Sequence, residues 1–447
     1  MISILNTLYS TVVRKGSAFS AAINSLFAVL EARSTYFENE KNSKLSVQEL
    51  ETVGVLDKAS IILTPTGYSK DVIHNVKPSS APFGDMTHII NVQFATRVNA
   101  QGLVETVTSD IPRIDYSKGE GAILAEQSAT NQIRYSEDFS NALWLTPGVT
   151  LTSSTGTNPR GESATIYAIQ GAAAQGGLEA NMASAAAGNG VGVSCWVRKK
   201  SGVGTTNVEI GYGDSSSTST TTVSVGGDWQ RITYKSTGYT GANRFYIDAE
   251  GTSADNIIEV WGAQVEKSNT GQVGRVTSYI PTTSGAVTRT RDNYLNGGDT
   301  SLIGAQEGVL YIEAAALADS NTSRGIALSA ANSPANRVVI FYSSTSATIQ
   351  GRVQASTSTT IAINGNTAST PITDFNKIAF KYKSGDLALW INGTEVATSS
   401  TAYTFNAALS ELAFDQGNGS IHFEGLVKSL AVFKEALSDA ELTALTS

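Results

Sequence analysis

Residues 261–292 read WGAQVEKSNTGQVGRVTSYIPTTSGAVTRTRD, and this stretch decides how the chain is divided. It begins with a strand-like segment, WGAQVE, and continues through turn-forming residues to Pro281. A proline removes a backbone amide donor and so limits the continuation of a strand. We therefore predict that one β-sandwich ends near residue 285, and that residues 286–304 form a hinge that presents a second module.

The composition predicts a mainly β protein with more than one core. The chain has 447 residues, which is enough for about three domains. Only 16% of the residues are charged, and the apolar residues fall in short runs between Gly, Ser, Thr and Ala. This pattern is typical of many short strands joined by polar turns.

Charge and reactive residues exclude several functions. The net charge of -8 argues against a nucleic-acid partner, because phosphate binding needs clustered Lys and Arg. The single cysteine, Cys195, lies in an apolar run and is predicted to be a buried hydrophobe. None of the three histidines, His74, His88 and His422, has a second His or Cys near it at the spacing of metal ligands, so a zinc site is not expected. Neither a membrane span nor an ordinary signal peptide is expected.

The first 50 residues carry helical periodicity. Their apolar side chains recur three or four positions apart, at Ile2, Leu5, Leu8 and Val12 and again at Phe19, Ile23, Leu26, Phe27 and Leu30. Two interpretations stay open. The segment is either an amphipathic helix packed on its own chain or a neighbouring subunit, or a docking and oligomerisation segment.

Three further regions have strand patterns. Residues 51–125 are predicted to be β-rich, because HIINVQFATRV at 88–98 alternates apolar and polar residues. Residues 126–285 contain GVGVSCWVRKK and NIIEVWGAQVE, and residues 305–447 contain VLYIEAAAL and RVVIFYSS. The spacing of these runs predicts tandem antiparallel β-sandwiches. A capping box formed by Ser438 and Glu441 predicts a short helix. In the first sandwich Trp144, Trp196 and Trp261 are predicted to fill the core.

Short motifs make the chain resemble the structural proteins of tailed bacteriophages. ATRVN at 95–99, GLVE at 102–105 and PRIDY at 112–116 are similar to a run common in phage tail and fibre polypeptides. YSEDF at 135–139, Trp144, WGAQVE at 261–266 and TSYIPTT at 277–283 resemble phage-borne carbohydrate-binding-like jelly-rolls.

The last module resembles concanavalin or laminin-G-like domains. The motifs that carry this resemblance are WING at 390–393, FEG at 423–425 and FKEALSDAEL at 433–442. The resemblance makes Trp390 a core or hairpin residue. Together the motifs cover most of the chain after about residue 90, whereas residues 1–89 match no family.

The resemblance implies a virion protein, a head or tail fibre or appendage, that displays two sandwiches for binding host-surface glycan. Its expected partners are other virion proteins, through residues 1–50 and the attachment region 51–125, and copies of itself, with a trimer favoured. Its expected location is the particle surface after assembly in the host cytoplasm. The alternatives are a purely architectural virion subunit without sugar binding and a polysaccharide depolymerase.

Candidate glycan-binding residues come from loops and turns. Tyr212 and Tyr239 lie near turns rich in Gly and Ser, where aromatic side chains can stack on sugar rings. In the second sandwich, Asp415 and Asn418 are the candidates, with His422 close by in the same loop.

Metal binding and catalysis have weaker support. A calcium loop at Asp415, Asn418 and His422 is disfavoured, because DQGNGS lacks the dense set of carboxylates that hard cations prefer. A structural calcium is expected at Glu137 and Asp138, by analogy with related jelly-rolls. A glycosidase needs two carboxylates across one bond, whereas these adjacent acids would face opposite sides of a strand. No GxSxG motif precedes a helix. We therefore predict a protein that is not an enzyme.

Overall fold

The computed structural model describes residues 47–69, 72–78, 84–89, 95–109, 111–171, 176–181, 189–200, 204–213, 218–239, 244–249, 256–270, 272–319, 322–330, 333–366 and 370–447. Most of the predicted helical segment 1–50 lies outside these residues, and a short helix, α1, follows at Val47–Thr52. The mainly β class is confirmed. No described helix is long and apolar enough to cross a membrane.

The first strands precede the first sandwich. They are β1 Ala59–Ser69, β2 Val72–Lys77, β3 Met86–Ile89, β4 Ala95–Val98, β5 Val104–Val107, β6 Ile114–Asp115, β7 Ala122–Ala125 and β8 Ala129–Asn131, and a 3-10 turn at Leu56–Lys58 leads into β1. The next ten form the first sandwich: β9 Trp144–Leu145, β10 Val149–Thr157, β11 Ser163–Gly171, β12 Leu178–Asn181, β13 Asn189–Lys199, β14 Thr206–Gly213, β15 Thr218–Val225, β16 Gln230–Tyr239, β17 Arg244–Ala249 and β18 Ile257–Thr270.

The remaining elements belong mostly to the second sandwich. They are β19 Val287–Arg289, β20 Asn293–Leu295, β21 Glu307–Ala316, β22 Arg324–Ser329, β23 Arg337–Tyr342, β24 Thr348–Gln354, β25 Thr360–Asn366, β26 Asn376–Lys383, β27 Leu387–Ile391, β28 Thr394–Ser399, β29 Glu411–Ala413, β30 Gly425–Phe433 and the helix α2 Asp439–Thr446. The predicted capping box is confirmed, since Ser438 caps α2 and its backbone amide donates to Glu441.

The first sandwich packs two five-stranded antiparallel sheets, ordered β10-β11-β18-β13-β16 and β15-β14-β17-β12-β9. Strand alternation supplies its core: Val191, Val193, Cys195 and Val197 of β13 are fully buried. The burial of Cys195 confirms that prediction, and it raises the pKa of the thiol to about 12. Trp144 is buried beside Phe139, with ring centroids 4.6 Å apart.

The second sandwich packs a five-stranded sheet, β25-β24-β23-β22-β29, against an eleven-stranded sheet. The path of the larger sheet is β20-β3-β2-β1-β30-β21-β26-β27-β28, with β7 also paired to β30 and β6 to β7. Five of its strands therefore come from the region 51–125, which the sequence separated from this sandwich. Ile62 pairs with Ala431 and Leu63 with Leu430 across β1 and β30. Burial of these apolar strands in one core explains the merger.

Residues 286–304 do not form a free hinge. Val287–Arg289 pairs with Ala129–Asn131, and Asn293–Leu295 pairs with Met86–Ile89. Between these two pairings, the side chains of Arg289 and Asp292 are fully buried. The segment therefore ties the first sandwich to the sheet of the second.

The other predicted core tryptophans differ in exposure. Trp261 is buried against Tyr279, with ring centroids 4.8 Å apart. Trp196 is partly buried beside Trp261, its partner across strands β13 and β18. Trp390 is buried in a cluster that includes side chains of α2.

Candidate functional site

A buried ionic cluster joins the two sandwiches. We name Arg113, Glu126, Arg289 and Asp292 the junction cluster, and their side chains are at most 1% exposed. Arg113 binds both carboxylate oxygens of Asp292, with its Nε 3.1 Å from Oδ1, and donates to Glu126 Oε2 at 2.7 Å. Arg289 lies 3.3 Å from Glu126. Two guanidinium groups thus neutralise two carboxylates.

The surroundings of the junction cluster keep its carboxylates ionised. Burial alone would raise the pKa of Asp292, but Arg113, a hydrogen bond from His88 and Arg289 outweigh burial and hold it well below its usual range. Burial is also outweighed at Glu126, where Arg289 and Arg113 lower the pKa. All these groups are engaged with one another, so the cluster is a structural connection.

A solvent-accessible groove lies between the same two sandwiches. It consists of two adjoining cavities, of about 470 Å³ and about 370 Å³, which share Arg291, Gly419 and His422. We name this pair of cavities the arginine groove. The larger cavity is also lined by Gln127, Ser128, Asn269, Gln272, Arg275, Thr322, Ser323, Arg324, Ser420, Ile421 and Glu424. Volumes of this size are typical of small-ligand sites.

A tight turn between β29 and β30 forms one wall of the groove. Gln416 N donates to Ser420 O at 3.0 Å, and Gly417 and Gly419 adopt φ of +83° and +72°. A side chain at Gly417 would be strained, and its Cβ would also approach that of Ser329 to 2.8 Å. The sequence DQGNGSIH therefore folds into one defined turn that presents His422 to the groove.

Ile421 is an unusual residue in this wall. Its φ is +51°, although a positive φ is a genuine outlier for a β-branched residue. Its side chain is 38% exposed in the groove. Backbone strain of this kind clusters at ligand and active sites, because the surrounding structure must offset its cost.

His422 adds an unused polar atom. The residue is 7% exposed, and its Nε2 has no hydrogen-bond partner among the described residues. Its other ring nitrogen binds the Gly419 backbone. Burial, with help from Arg291, lowers the pKa of His422, so the ring is neutral at pH 7. In the tautomer that carries the proton on Nδ1, Nε2 is a hydrogen-bond acceptor.

The arginines come from three separate segments. Arg275 reaches across the junction to Glu424, with NH1 3.2 Å from Oε1. Arg324 donates to Ala318 O at 2.7 Å, which fixes it at the start of β22. Arg291 is exposed, and among the described residues it donates only through Nε, to Asn293 Oδ1 at 2.9 Å.

The structure brings the predicted residues of the second sandwich to this groove. Asp415 is buried, lines the smaller cavity and accepts a hydrogen bond from Gly417 N. Asn418 lies on the same turn, where its Oδ1 accepts from Ser420 at 2.7 Å, but it does not line either cavity. Both residues shape the turn, and direct glycan contact by either one stays a prediction.

Of the two tyrosines predicted in the first sandwich, Tyr212 does not lie in the groove. Tyr212 is fully buried in the core, so the prediction that it stacks on a sugar is wrong. Val208 and Ile210 are buried on the same strand face, and this alternation was the signal that Tyr212 also points inward. Tyr239 ends β16, and its side chain lies outside what the structure describes.

Glu137 and Asp138 have different surroundings. Burial raises the pKa of Glu137, which accepts from Tyr279 OH at 3.0 Å and pairs with Arg160 at 3.3 Å. Hydrogen bonds from Ser140 and Tyr167 lower the pKa of Asp138. Within the described ranges, no group of three or more His, Cys, Asp or Glu side chains is placed to hold a metal. Calcium at this pair stays a prediction.

A third cavity, of about 520 Å³, lies between the β4–β5 hairpin and the first sandwich. Tyr116 and Trp196 line it, but its acidic groups are already used. Asp115 accepts from Val98 N at 2.7 Å and from Ser117 N at 2.9 Å, and Glu126 belongs to the junction cluster. The acids of this cavity are therefore occupied, whereas Trp196 Nε1 and Arg231 Nε, which also belong to its lining, have no hydrogen-bond partner among the described residues.

Sequence reasoning missed the three arginines and Ile421. The arginines are separated by up to 49 positions, from Arg275 to Arg324, and reach one groove only because the two sandwiches meet there. No local spacing could have grouped them. The Gly-Asn-Gly turn beside His422 was the one available signal.

The chain was compared with known protein families, curated sequences and solved structures. No curated protein sequence matches the chain. Among solved structures, the IT-sialidase CBM40 of Ruminococcus gnavus bound to alpha2,3 sialyllactose is 16% identical, with a TM-score of 0.29, over 34% of this chain and 92% of that one. The binding domain of Botulinum neurotoxin DC in complex with SialylT is 12% identical, with a TM-score of 0.28, over 35% and 39%.

Domain 4 of AbnA, a GH43 extracellular arabinanase from Geobacillus stearothermophilus, in complex with arabinotriose, is 15% identical, with a TM-score of 0.25, over 39% of this chain and 82% of that one. At these values, nothing follows about the ligand of this chain. The family match is more direct and confirms the predicted concanavalin-like domain: residues 312–443 match the concanavalin A-like lectin/glucanases superfamily.

Proposed function

We propose that the chain binds host-surface glycan in the arginine groove, without catalysis, as a structural protein of a phage fibre or appendage. The observation that carries the binding proposal is the groove itself, in which polar side chains from both sandwiches surround an unpartnered His422 Nε2. A polyhydroxylated ligand needs such groups. The match of residues 312–443 to a superfamily of lectins and glucanases supports this ligand class.

The groove can be tested by filling it. Full-length protein is first screened on a glycan array and on host polysaccharide. Ser323→Trp, which places a large ring at the lining, is expected to weaken binding at least tenfold. Ser400→Trp, on an exposed loop outside the groove, is the matched control and should bind as wild type does.

Three outcomes would change the proposal. If Tyr116→Ala, in the third cavity, abolishes binding while Ser323→Trp does not, the site is that cavity. If folded protein binds no saccharide, a purely architectural subunit becomes the better account. If host polysaccharide chains shorten on incubation, the protein is a depolymerase.

The virion role is supported by the motifs at 95–116, 135–144 and 261–283. Antibody labelling of intact particles in the electron microscope tests it, since label on a fibre or appendage is expected. Assembly is tested separately by light scattering on full-length protein. We expect three times the mass of one chain, and Leu26→Glu in the apolar N-terminal pattern is expected to lower it.

A further inference from the structure

The larger cavity of the arginine groove is cationic although the protein is acidic. Its lining contains three arginines, Arg275, Arg291 and Arg324, and one carboxylate, Glu424. The whole chain has 39 acidic and 31 basic residues. A local excess of guanidinium groups in an acidic protein favours an anionic ligand, because a cleft concentrates the field of its charges.

The arginines differ in how much hydrogen-bonding capacity they retain. Glu424 occupies NH1 of Arg275, and Ser128 O accepts from NH2 at 3.3 Å. Arg291 donates only through Nε, and its two terminal nitrogens bind none of the described residues. Two parallel N–H donors match the two oxygens of a carboxylate. Arg291 is therefore the group best placed to pair with a ligand carboxylate.

His422 and Ile421 supply different contacts beside Arg291. The ring of His422 offers the unpartnered Nε2 to a sugar hydroxyl, which can donate a hydrogen bond to this nitrogen or accept one from it. The exposed side chain of Ile421 offers an apolar contact for a ring face. A ligand that satisfies all three groups carries a carboxylate, a hydroxyl and an apolar face.

We propose that the arginine groove binds a carboxylated sugar. Arg291 pairs with the sugar carboxylate, and His422 Nε2 forms a hydrogen bond with a sugar hydroxyl. This rests on the proposed glycan binding and adds the ligand's chemical class. A sulfate can also present two oxygens to the guanidinium fork, so a sulfated sugar is the competing anionic ligand in the test.

The test titrates full-length protein with four probes: a uronic acid oligosaccharide, its methyl ester, a neutral oligosaccharide of the same length and a sulfated one. The acid form is expected to bind at least tenfold more tightly than the methyl ester, and tighter binding of the sulfated probe than of the acid would overturn the assignment of a carboxylate. Arg291→Gln should remove the preference for the acid over the ester. Arg134→Gln, at an exposed arginine outside the groove, should leave it intact.

A second measurement follows the histidine directly. In the imidazole nitrogen spectrum, the acid probe is expected to shift one of the three histidines, and His422→Phe should remove that signal. Equal binding of the acid and its ester, or a preference that survives Arg291→Gln, overturns the inference but keeps glycan binding. If the full-length protein is folded, as its unfolding curve shows, and none of the four probes binds, both the carboxylated-sugar inference and the proposed glycan binding are overturned.

Discussion

Arg113 and Arg291 lie at the same junction, but their guanidinium groups have opposite environments. Arg113 is fully buried, and Asp292, Glu126, Ser278 and the Thr96 carbonyl accept its hydrogen bonds. Arg291, one position before Asp292, is exposed and leaves its terminal nitrogens unused by the described residues. The difference shows that pairing and burial separate a structural charge from a candidate binding charge, whereas residue type does not.

The largest expected effect comes from breaking the junction cluster. Asp292→Ala leaves Arg113 buried without its bidentate partner, so the free energy of unfolding should fall by about 3–5 kcal/mol. Urea unfolding of the full-length protein measures the change. Asp228→Ala, at an exposed acid, is the control and should stay within about 0.5 kcal/mol of wild type. A loss below about 1 kcal/mol for Asp292→Ala would mean that the cluster is not what fixes the junction.

The sequence could predict the layers of this fold but not the junction. Period-two alternation, as in Val191 to Val197, predicts strands and their buried faces because it depends only on neighbouring residues. The merger of β1 with β30 depends on a pairing between Leu63 and Leu430, which no local pattern encodes. Charged residues such as Arg289 and Asp292 are normally exposed to solvent, so the sequence favoured a hinge at these positions. Their burial depends on partners that are distant in the sequence.

Only one part of the candidate site could be predicted from the sequence, because it depends on neighbouring residues alone. The turn around Gly417 and Gly419 could be located from sequence, because glycines at these positions permit positive φ. Arg275 and Arg291 could not be connected to that turn, since the docking of two sandwiches brings them together.

The next expected effect concerns pH. Asp292 and Glu126 have pKa values lowered by their arginine partners, against burial, so their contribution to stability is complete above about pH 5 and is lost progressively as the pH falls below about 4 towards their lowered folded pKa values. The contribution of Glu266 to stability changes with pH in the opposite direction. Burial raises its pKa to about 7, so its contribution is complete below about pH 4 and is lost as the pH rises through 7.

Unfolding free energies measured from pH 3 to 9 check these signs. We expect a maximum near pH 5. Glu266→Gln should decline less than wild type between pH 5 and 8, because the titrating group is gone. A variant whose decline equals that of wild type would show that Glu266 does not cause it.

A smaller effect is expected for the ion pair of Arg275 and Glu424, which is less buried than that of Arg113 and Asp292. Glu424 is buried but its partner Arg275 is 23% exposed, so Glu424→Gln should cost only about 1 kcal/mol. The same change removes the one carboxylate of the larger cavity, and affinity for a uronic acid oligosaccharide should rise severalfold. Denaturation and titration of one sample measure both. Weaker binding of the acid would indicate that Glu424 contacts the sugar through its hydroxyls.

The smallest effect on stability is expected for Arg291→Ala. Within the described part of the chain, its one hydrogen bond is to the neighbouring Asn293, so the loss of the side chain should change the free energy of unfolding by less than about 0.5 kcal/mol. Binding of the acidic oligosaccharide should nevertheless fall at least tenfold, because the carboxylate loses its guanidinium partner. A change that alters binding without altering stability is what separates Arg291 from Arg113. If Arg291→Ala destabilises the protein as much as Asp292→Ala does, both arginines are structural and the groove needs another anchor.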